Sequence, residues 1–302
     1  MNKSVLIIDD EQTQVRSLTK ALKDKLPDVD FISTFAEEEI ISAMENKFYS
    51  LAIVDLRMDK YSFDGIQLIE KIIEINPFSK IIVTSAFIQE YIDKLEHFFI
   101  KGKIINMLEK EKFDEWVPKI VNTINEYYET IEKDSSLLQK ALLQYYADAK
   151  NEVDTYKKGE KFESFVSLLF GNIGYKDIKR RVIDKSRNEI DLIVRNEIKD
   201  LFLNKLGDYF LIECKNKPNE KIGKNDFIQF YSKLDNTNGL ARFGFLFTAG
   251  YIAQTTYVEA VRISKSEKKV VFFSNTEIER LIKAEDMRTE FKNIIDEQVK
   301  DN

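Results

Sequence analysis

Ile7-Ile8-Asp9-Asp10-Glu11 and Ala52-Ile53-Val54-Asp55-Leu56-Arg57-Met58 decide the fold of the front of this chain. In both, a short apolar run stops on carboxylates. Such runs are too short for a helix and read as strands covered on both faces, the habit of parallel sheets. Working outward, Phe31–Ser33, Ile81–Val83 and Ile104–Leu108 repeat the pattern, and amphipathic stretches near 12–24, 36–46, 65–75 and 88–99 lie between the strands. This alternation predicts an α/β unit with a doubly wound, five-stranded parallel sheet. Ligands of such sheets bind beyond the carboxyl ends of the strands. Asp9, Asp10, Asp55, Thr84-Ser85 and Lys110 are all expected on that rim.

Those residue types carry a definite chemistry. Clustered carboxylates repel one another unless a cation lies between them, and ligands that are all oxygen favour Mg²⁺, with Mn²⁺ as an alternative. A carboxylate can attack phosphorus and form an acyl phosphate. A lysine neutralises the oxygens as charge moves, and the Thr84 hydroxyl can donate to the new phosphoryl group.

These segments, with Asp64-Gly65, Ile82-Val83-Thr84-Ser85-Ala86 and Leu108-Glu109-Lys110, resemble the receiver domain of two-component response regulators in residue type and order. The resemblance implies a flavodoxin-like fold with Asp55 as phosphoacceptor and a sensor histidine kinase or other phosphodonor as partner. It implies Asp9, Asp10, Asp55 and the Arg57 backbone carbonyl as metal ligands, and Thr84 and Lys110 as switch residues. Glu111 stands where the family usually has proline, which leaves Lys112 as an alternative lysine. Met107 stands where an aromatic switch residue is common, and the loop between Asp55 and Gly65 runs slightly long.

Composition narrows the rest. The apolar runs are too short to span a bilayer, and Met1-Asn2-Lys3 does not read as a signal peptide. A lone cysteine, Cys214, allows no disulfide within the chain, so a reducing cytoplasm is expected. One histidine, His97, rules out His-rich zinc sites and paired-histidine catalysis. Residues 1–120 hold 16 Lys/Arg against 22 Asp/Glu, whereas residues 155–224 hold 16 against 11. The basic residues cluster at Lys176, Lys179, Arg180, Arg181, Lys185 and Arg187. That points a polyanion at the second half of the chain.

Residues 114–158 read as helical. Ile124, Tyr128, Ile131, Ser135, Leu138, Leu142, Tyr145, Ala149, Glu152 and Tyr156 trace a seam spaced by fours and threes, which suits a dimerising coiled coil. Ser136-Leu-Leu-Gln139 also reads as a capping box, so two helices meeting near Asp134 fit the same stretch, and so does a helix packed on its own domain.

Further on, helix 160–170, strands 180–184, 189–195 and 209–215, helix 225–234, strand 242–248, helix 251–264, strand 269–274 and a short helix from 277 are expected. An extended hairpin is expected at 197–208 and a polar helix at 285–302. Glu-x-Lys and Asp-x-Lys triplets are common in this chain. Glu213-Cys214-Lys215 stands out because it ends the apolar strand Tyr209–Ile212, which places Glu213 and Lys215 on one face. Asp191 lies on a neighbouring strand. Two such carboxylates with a lysine can hold Mg²⁺, which activates water toward a phosphodiester. On the same parity Cys214 points away and reads as a buried apolar residue.

This set resembles the PD-(D/E)xK nuclease superfamily, in particular its Mrr-like restriction endonuclease branch, over about residues 159–284. Gly159-Glu-Lys-Phe-Glu163, Gly174-Tyr175, Glu189-Ile-Asp191, Glu213-Cys-Lys215 and Phe245-Leu-Phe-Thr248-Ala-Gly250-Tyr251 keep the family order. The resemblance implies a mixed sheet and a catalytic set of Glu163, Asp191, Glu213 and Lys215. Gln229 would be auxiliary, with metal on Asp191 and Glu213. Lys179, Arg180, Arg181, Lys185 and Arg187 are the expected nucleic-acid contacts, with DNA as the expected substrate. The expected plan is a receiver at 1–120, a helical linker at 121–158, a nuclease-like domain at 159–284 and a tail at 285–302. It describes a homodimer in which Asp55 phosphorylation controls a Mg²⁺-dependent endodeoxyribonuclease. The alternative is a phospho-regulated module that binds nucleic acid or protein, or dimerises, without cutting.

Overall fold

The computed structural model describes residues 2–183, 189–237, 239–263 and 267–301. The chain divides into two compact units, 1–134 and 135–302.

In the first unit, β1 (Ser4–Ile8), β2 (Asp30–Thr34), β3 (Leu51–Asp55), β4 (Lys80–Ser85) and β5 (Ile104–Glu109) form one parallel sheet in the order β2-β1-β3-β4-β5. This is the flavodoxin-like order, whose direction reverses between β1 and β3. Strand parity decides what covers each face. Val5, Ile7 and Ile53 pack with Val15, Leu18 and Leu22 of α1 (Gln12–Lys25) and with Trp116, Ile120 and Ile124 of α5 (Phe113–Lys133). Leu6, Ile8 and Val54 pack with Ile40 of α2 (Glu37–Asn46), Ile69 and Ile72 of α3 (Gly65–Ile75) and Leu95 of α4 (Ile92–Ile100). The expected helix 88–99 is interrupted: a 3₁₀ turn at Ile88–Glu90 precedes α4.

The entry to α3 shapes the rim of this sheet. The Asp64 side chain accepts from the Gln67 N–H, and the Gln67 side chain accepts from the Asp64 N–H, both at 2.9 Å. This is a reciprocal capping box. A Cβ on Gly65 would stand 2.3 Å from the Asp55 carbonyl oxygen. Only glycine lets α3 start against the end of β3.

The second unit begins with α6 (Ser135–Asn151) and α7 (Thr155–Ile173). Its sheet runs β12 (Lys269–Phe273), β10 (Ala241–Thr248), β8 (Tyr209–Lys215), β7 (Glu189–Arg195), β6 (Ile178–Ile183). The β12-β10-β8 pairs are parallel and β8-β7-β6 antiparallel, so the sheet is mixed as expected. Leu211, Leu246 and Phe272 pack against Phe227, Phe230 and Leu234 of α8 (Lys224–Asp235). Elsewhere Phe170 of α7 meets Phe245, Phe247 and Phe291 at ring separations of 5.6–5.9 Å. Phe210 and Phe245 are core residues, as their place on apolar strands requires, and Tyr209 packs half-buried against the core.

Several elements depart from the sequence reading. The expected helix 251–264 opens as a short strand, β11 (Tyr251–Ile252), parallel to β9 (Lys221–Ile222), before α9 (Gln254–Arg262). Residues 197–208 form no hairpin. They hold a 3₁₀ turn at Leu203–Leu206, pinned by Asn196, whose side-chain amide donates to the Leu203 and Gly207 carbonyls at 2.8 Å each. The polar tail is α11 (Met287–Asp301), and Phe291, Ile294 and Ile295 on it are fully buried. Arg288 ties α11 to α7 by donating to the Ile173 carbonyl at 2.8 Å.

The seam at 124–156 is split between two cores. Two helices with a break at Asp134 are observed, each packed on its own unit. Ile124 and Tyr128 are buried in the first unit, where the Tyr128 hydroxyl lies 2.9 Å from that of Ser50 and donates to the Ser4 carbonyl at 3.1 Å. Leu142 and Ala149 are buried in the second unit, beside Tyr146, which stacks on Phe165 at 4.9 Å. Following α10 (Asn275–Lys283), α11 completes the unit.

Candidate functional site

The first unit gathers its polar residues at the carboxyl ends of β1, β3, β4 and β5. Asp9, Asp10 and Asp55 are buried and bring carboxylate oxygens within 4.8 Å of one another, the one such acidic group among the described residues. Lys110 completes it: its Nζ lies 2.7 Å from Asp9 Oδ2 and 2.7 Å from Asp55 Oδ2. The Lys110 N–H donates to the Ser85 carbonyl at 2.9 Å, which fixes the turn after β5. Lys112 is 87% exposed and pairs with Glu115, so Lys110 is the lysine of this cluster.

The electrostatics follow from crowding. Burial pushes the Asp55 carboxyl up to about 6, against the opposing pull of Lys110. Burial also raises Asp10. Lys110 is itself penalised by burial, but Asp55 and Asp9 outweigh that and raise it. Asp55 Oδ1 is buried without a hydrogen-bond partner. Such an oxygen, beside two further buried carboxylates, fits a hard divalent cation. Thr84 sits opposite Asp55 in the β3–β4 register, and its hydroxyl donates to the Val54 carbonyl at 3.4 Å. The Arg57 side chain leaves the cluster, donating to Asp59 at 2.7 Å and lying over the Phe87 ring at 5.5 Å. Met107 is half-buried against the apolar core.

Sequence reasoning missed Lys60 here. From the lengthened β3–α3 loop its N–H donates to Asp10 Oδ2 at 3.3 Å, and its ammonium to the Asp10 carbonyl at 3.1 Å and to Glu11. The extra loop length was the available signal.

The second unit places Asp191 on β7 one step beyond the Leu192–Ile212 pair of the β7–β8 register, opposite Glu213. Glu213 is 4% exposed. Lys215 Nζ lies 2.8 Å from its Oε1. Asp191 Oδ2 accepts the Cys214 N–H at 2.6 Å. Burial, then the charge of Glu213, push the Asp191 carboxyl up to about 7. Lys215 is opposed by burial but raised by Glu213 and Asp191. Burial pushes the Cys214 thiol well up, which suits an inert thiol.

Glu163 projects from α7 to the same neighbourhood, and burial raises its carboxyl against the pull of Arg181. Gly159, expected to open this helix, lies a turn inside it, because the Asp154 side chain caps the helix earlier by accepting from Lys157 N–H at 2.9 Å. Arg181 holds Glu163 at 2.9 Å and Glu160 at 2.8 Å, donates to the Tyr156 hydroxyl at 2.7 Å, and sits at φ +49°, a conformation uncommon for arginine. Arg180 donates to Ser164 Oγ at 2.7 Å. The basic cluster is therefore divided. Arg180 and Arg181 are turned inward to α7, Lys179 is exposed, and Lys185 and Arg187 fall outside the described residues. Gln229 is exposed on α8, four residues before Lys233.

Lys233 was not foreseen. Its Nζ lies 2.8 Å from Glu213 Oε2, so each oxygen of Glu213 meets a different ammonium. The chemistry of this set fits a divalent cation at Asp191 and Glu213, since both are oxygen donors held on adjacent strands. No helix among the described residues is long and apolar enough to cross a membrane.

Fold and sites together define a receiver domain joined to a restriction-endonuclease-like domain. Residues 5–115 match the family model of the response regulator receiver domain, and residues 156–282 match that of a restriction endonuclease. The chain is similar to a CheY-like response regulator receiver domain protein from Methanospirillum hungatei JF-1, at 20% identity over 44% of this chain and 99% of that one, with a TM-score of 0.37. It is similar to the receiver domain of the Francisella response regulator 1452, at 21% identity over 43% and 98%, TM-score 0.35. It is also similar to the response regulator TrrA from Thermotoga maritima, solved in complex with Mg(2+)-BeF, at 20% identity over 40% and 98%, TM-score 0.33. No curated protein matches the chain.

Proposed function

We propose that the protein is a response regulator in which phosphorylation of Asp55 controls a Mg²⁺-dependent phosphodiesterase, a DNA endonuclease, in the second unit. The observation that carries this reading is the convergence of Asp191, Glu213 and Lys215 on adjacent strand ends, in a chain whose first unit holds Lys110 against Asp9 and Asp55.

In the first unit Asp9, Asp10, Asp55 and the Arg57 carbonyl would hold the cation, and Asp55 receives the phosphoryl group from a sensor histidine kinase or a small-molecule donor. Lys110 and Thr84 bind the phosphoryl oxygens. For Thr84 this means turning its hydroxyl from the Val54 carbonyl toward Asp55. In the second unit Asp191 and Glu213 would hold a divalent cation, which when bound would polarise the phosphodiester and activate a water. Lys215 orients that water or stabilises charge on the phosphate. Glu163 and Gln229 support the set, and Lys179, Lys185 and Arg187 meet the DNA backbone. The helices α5 and α6, consecutive across Asp134, carry the phosphorylation state from one unit to the other. A homodimer would let two sites cut both strands. A supercoiled plasmid incubated with Mg²⁺ tests the site: Glu213→Ala and Lys215→Ala each remove cleavage, and cleavage that survives both changes sinks the assignment.

One observation favours the non-catalytic alternative. Both oxygens of Glu213 are ion-paired to lysines, as in a purely structural cluster. On that reading, DNA binding falls steeply with salt and no cut product forms at any Mg²⁺ concentration.

A further inference from the structure

The charges around Glu213 have a consequence for how the second unit takes up its metal. Asp191 and Glu213 lie opposite one another, and Glu163 of α7 is near enough for its charge to raise Asp191. Three cations face them: Arg181 on Glu163, Lys215 on Glu213 Oε1 and Lys233 on Glu213 Oε2. Glu213 itself is compensated by two ammonium groups. A divalent cation that binds Glu213 meets an oxygen that an ammonium already contacts, and the two cations repel. Lys215 leaves β8 itself, two residues from Glu213, and its ammonium is confined to that strand end. Lys233 reaches in from α8, is 22% exposed, and contacts Glu213 through a long flexible stem.

We propose that Lys233 is a positioning residue that occupies one carboxylate oxygen of Glu213 and competes with the divalent cation for that carboxylate. The inference rests on the nuclease reading above. In the resting protein Lys233 neutralises a carboxylate that would otherwise be buried and half-compensated. Binding of a cation at Glu213 would come at the expense of the Lys233 contact. The site therefore resists metal until the ammonium is displaced, so its affinity is set by α8 as well as by the ligands.

The test measures Mn²⁺ binding directly, by calorimetry and by loss of the free-ion electron paramagnetic resonance signal. It uses the full-length chain carrying Asp9→Asn and Asp10→Asn, so that the first unit's cation site is silent. Replacing Lys233 with methionine keeps the apolar stem and removes the charge. Deleting one unit charge about 3–4 Å from a cation site predicts Mn²⁺ binding tighter by roughly tenfold or more. Lys233→Arg restores the weaker binding of the parent, and Glu213→Gln abolishes binding in either background. Loss of a merely structural contact would leave affinity unchanged or weaken it. Equal or weaker Mn²⁺ binding in Lys233→Met, with the parent still binding and cleaving, overturns the competition alone. No Mn²⁺ bound by the parent or by Lys233→Met, with no cleavage by either, overturns the nuclease reading and the inference with it.

Discussion

At the scale of single residues, the two acidic sites differ in how burial is compensated. Asp55 is buried but shares one lysine with Asp9, and its Oδ1 has no partner. Mg²⁺ should therefore raise the melting temperature of the first unit, and Asp9→Asn with Asp10→Asn should remove that rise in a thermal scan. Asp55→Ala should abolish labelling by a small-molecule phosphodonor. Asp191 offers a second check through pH. Its native pKa of about 7 lies above the ordinary carboxyl value of 3.8. The folded state thus binds the proton more tightly than the unfolded one. The stability this contributes is full below the unfolded pKa and is lost as pH rises through about 7. In EDTA, Asp191→Asn should flatten denaturant-measured stability across that window and leave the variant more stable than the parent at pH 8. A stability that climbs with pH over that window in the parent would contradict the assignment.

Residue-level legibility followed the same physics. Asp9, Asp10, Asp55 and Lys110 were readable because each sits at the end of a short apolar strand, where topology dictates the rim. Glu213 and Lys215 were readable by the same rule, and Asp191 by its place on the neighbouring strand. Lys233 was not, because it is one lysine among many on a polar helix face, and its role depends on a flexible side chain reaching across to another element. Arg181 was expected among the nucleic-acid contacts. Its place opposite α7, where two glutamates wait, is a matter of tertiary packing that strand pattern alone does not reveal.

At the scale of elements, the strands of both sheets were legible from apolar runs. The misread elements were those whose apolar content is sparse. Helix α11 carries Phe291, Ile294 and Ile295 at spacings of three and one, a narrow stripe in an otherwise charged sequence. All three are fully buried. Phe291 meets Phe170, Tyr175, Phe245 and Phe273. Phe291→Ala should cost about 3–5 kcal/mol of the second unit's stability in denaturant unfolding. A loss below about 1 kcal/mol would return α11 to the status of a tail. The 197–208 segment was misread because its apolar residues Ile198, Leu203 and Leu206 are buried in a turn rather than alternating along a strand.

At the scale of the whole molecule, the seam through 124–156 looked like one surface stripe. It is divided because its two halves fill two separate cores, and the boundary falls at Asp134; the expected capping box at Ser136–Gln139 does not form, since α6 starts at Ser135 and the Gln139 side chain donates to the Lys283 and Ala284 carbonyls. Each unit owns its core, so calorimetry should resolve two unfolding transitions. Core substitutions such as Ile53→Ala and Phe245→Ala should each lower one of them.

The central claim joins the units: the state of Asp55 sets the activity of the Asp191–Glu213–Lys215 site. Its most direct test is the rate of Mg²⁺-dependent plasmid cleavage with and without a small-molecule phosphodonor, in the parent chain and in Asp55→Ala. The account predicts a rate that changes with the donor in the parent and is indifferent to it in Asp55→Ala. A donor effect that persists in Asp55→Ala, or a parent rate that ignores the donor while Asp55 is demonstrably phosphorylated, would contradict it.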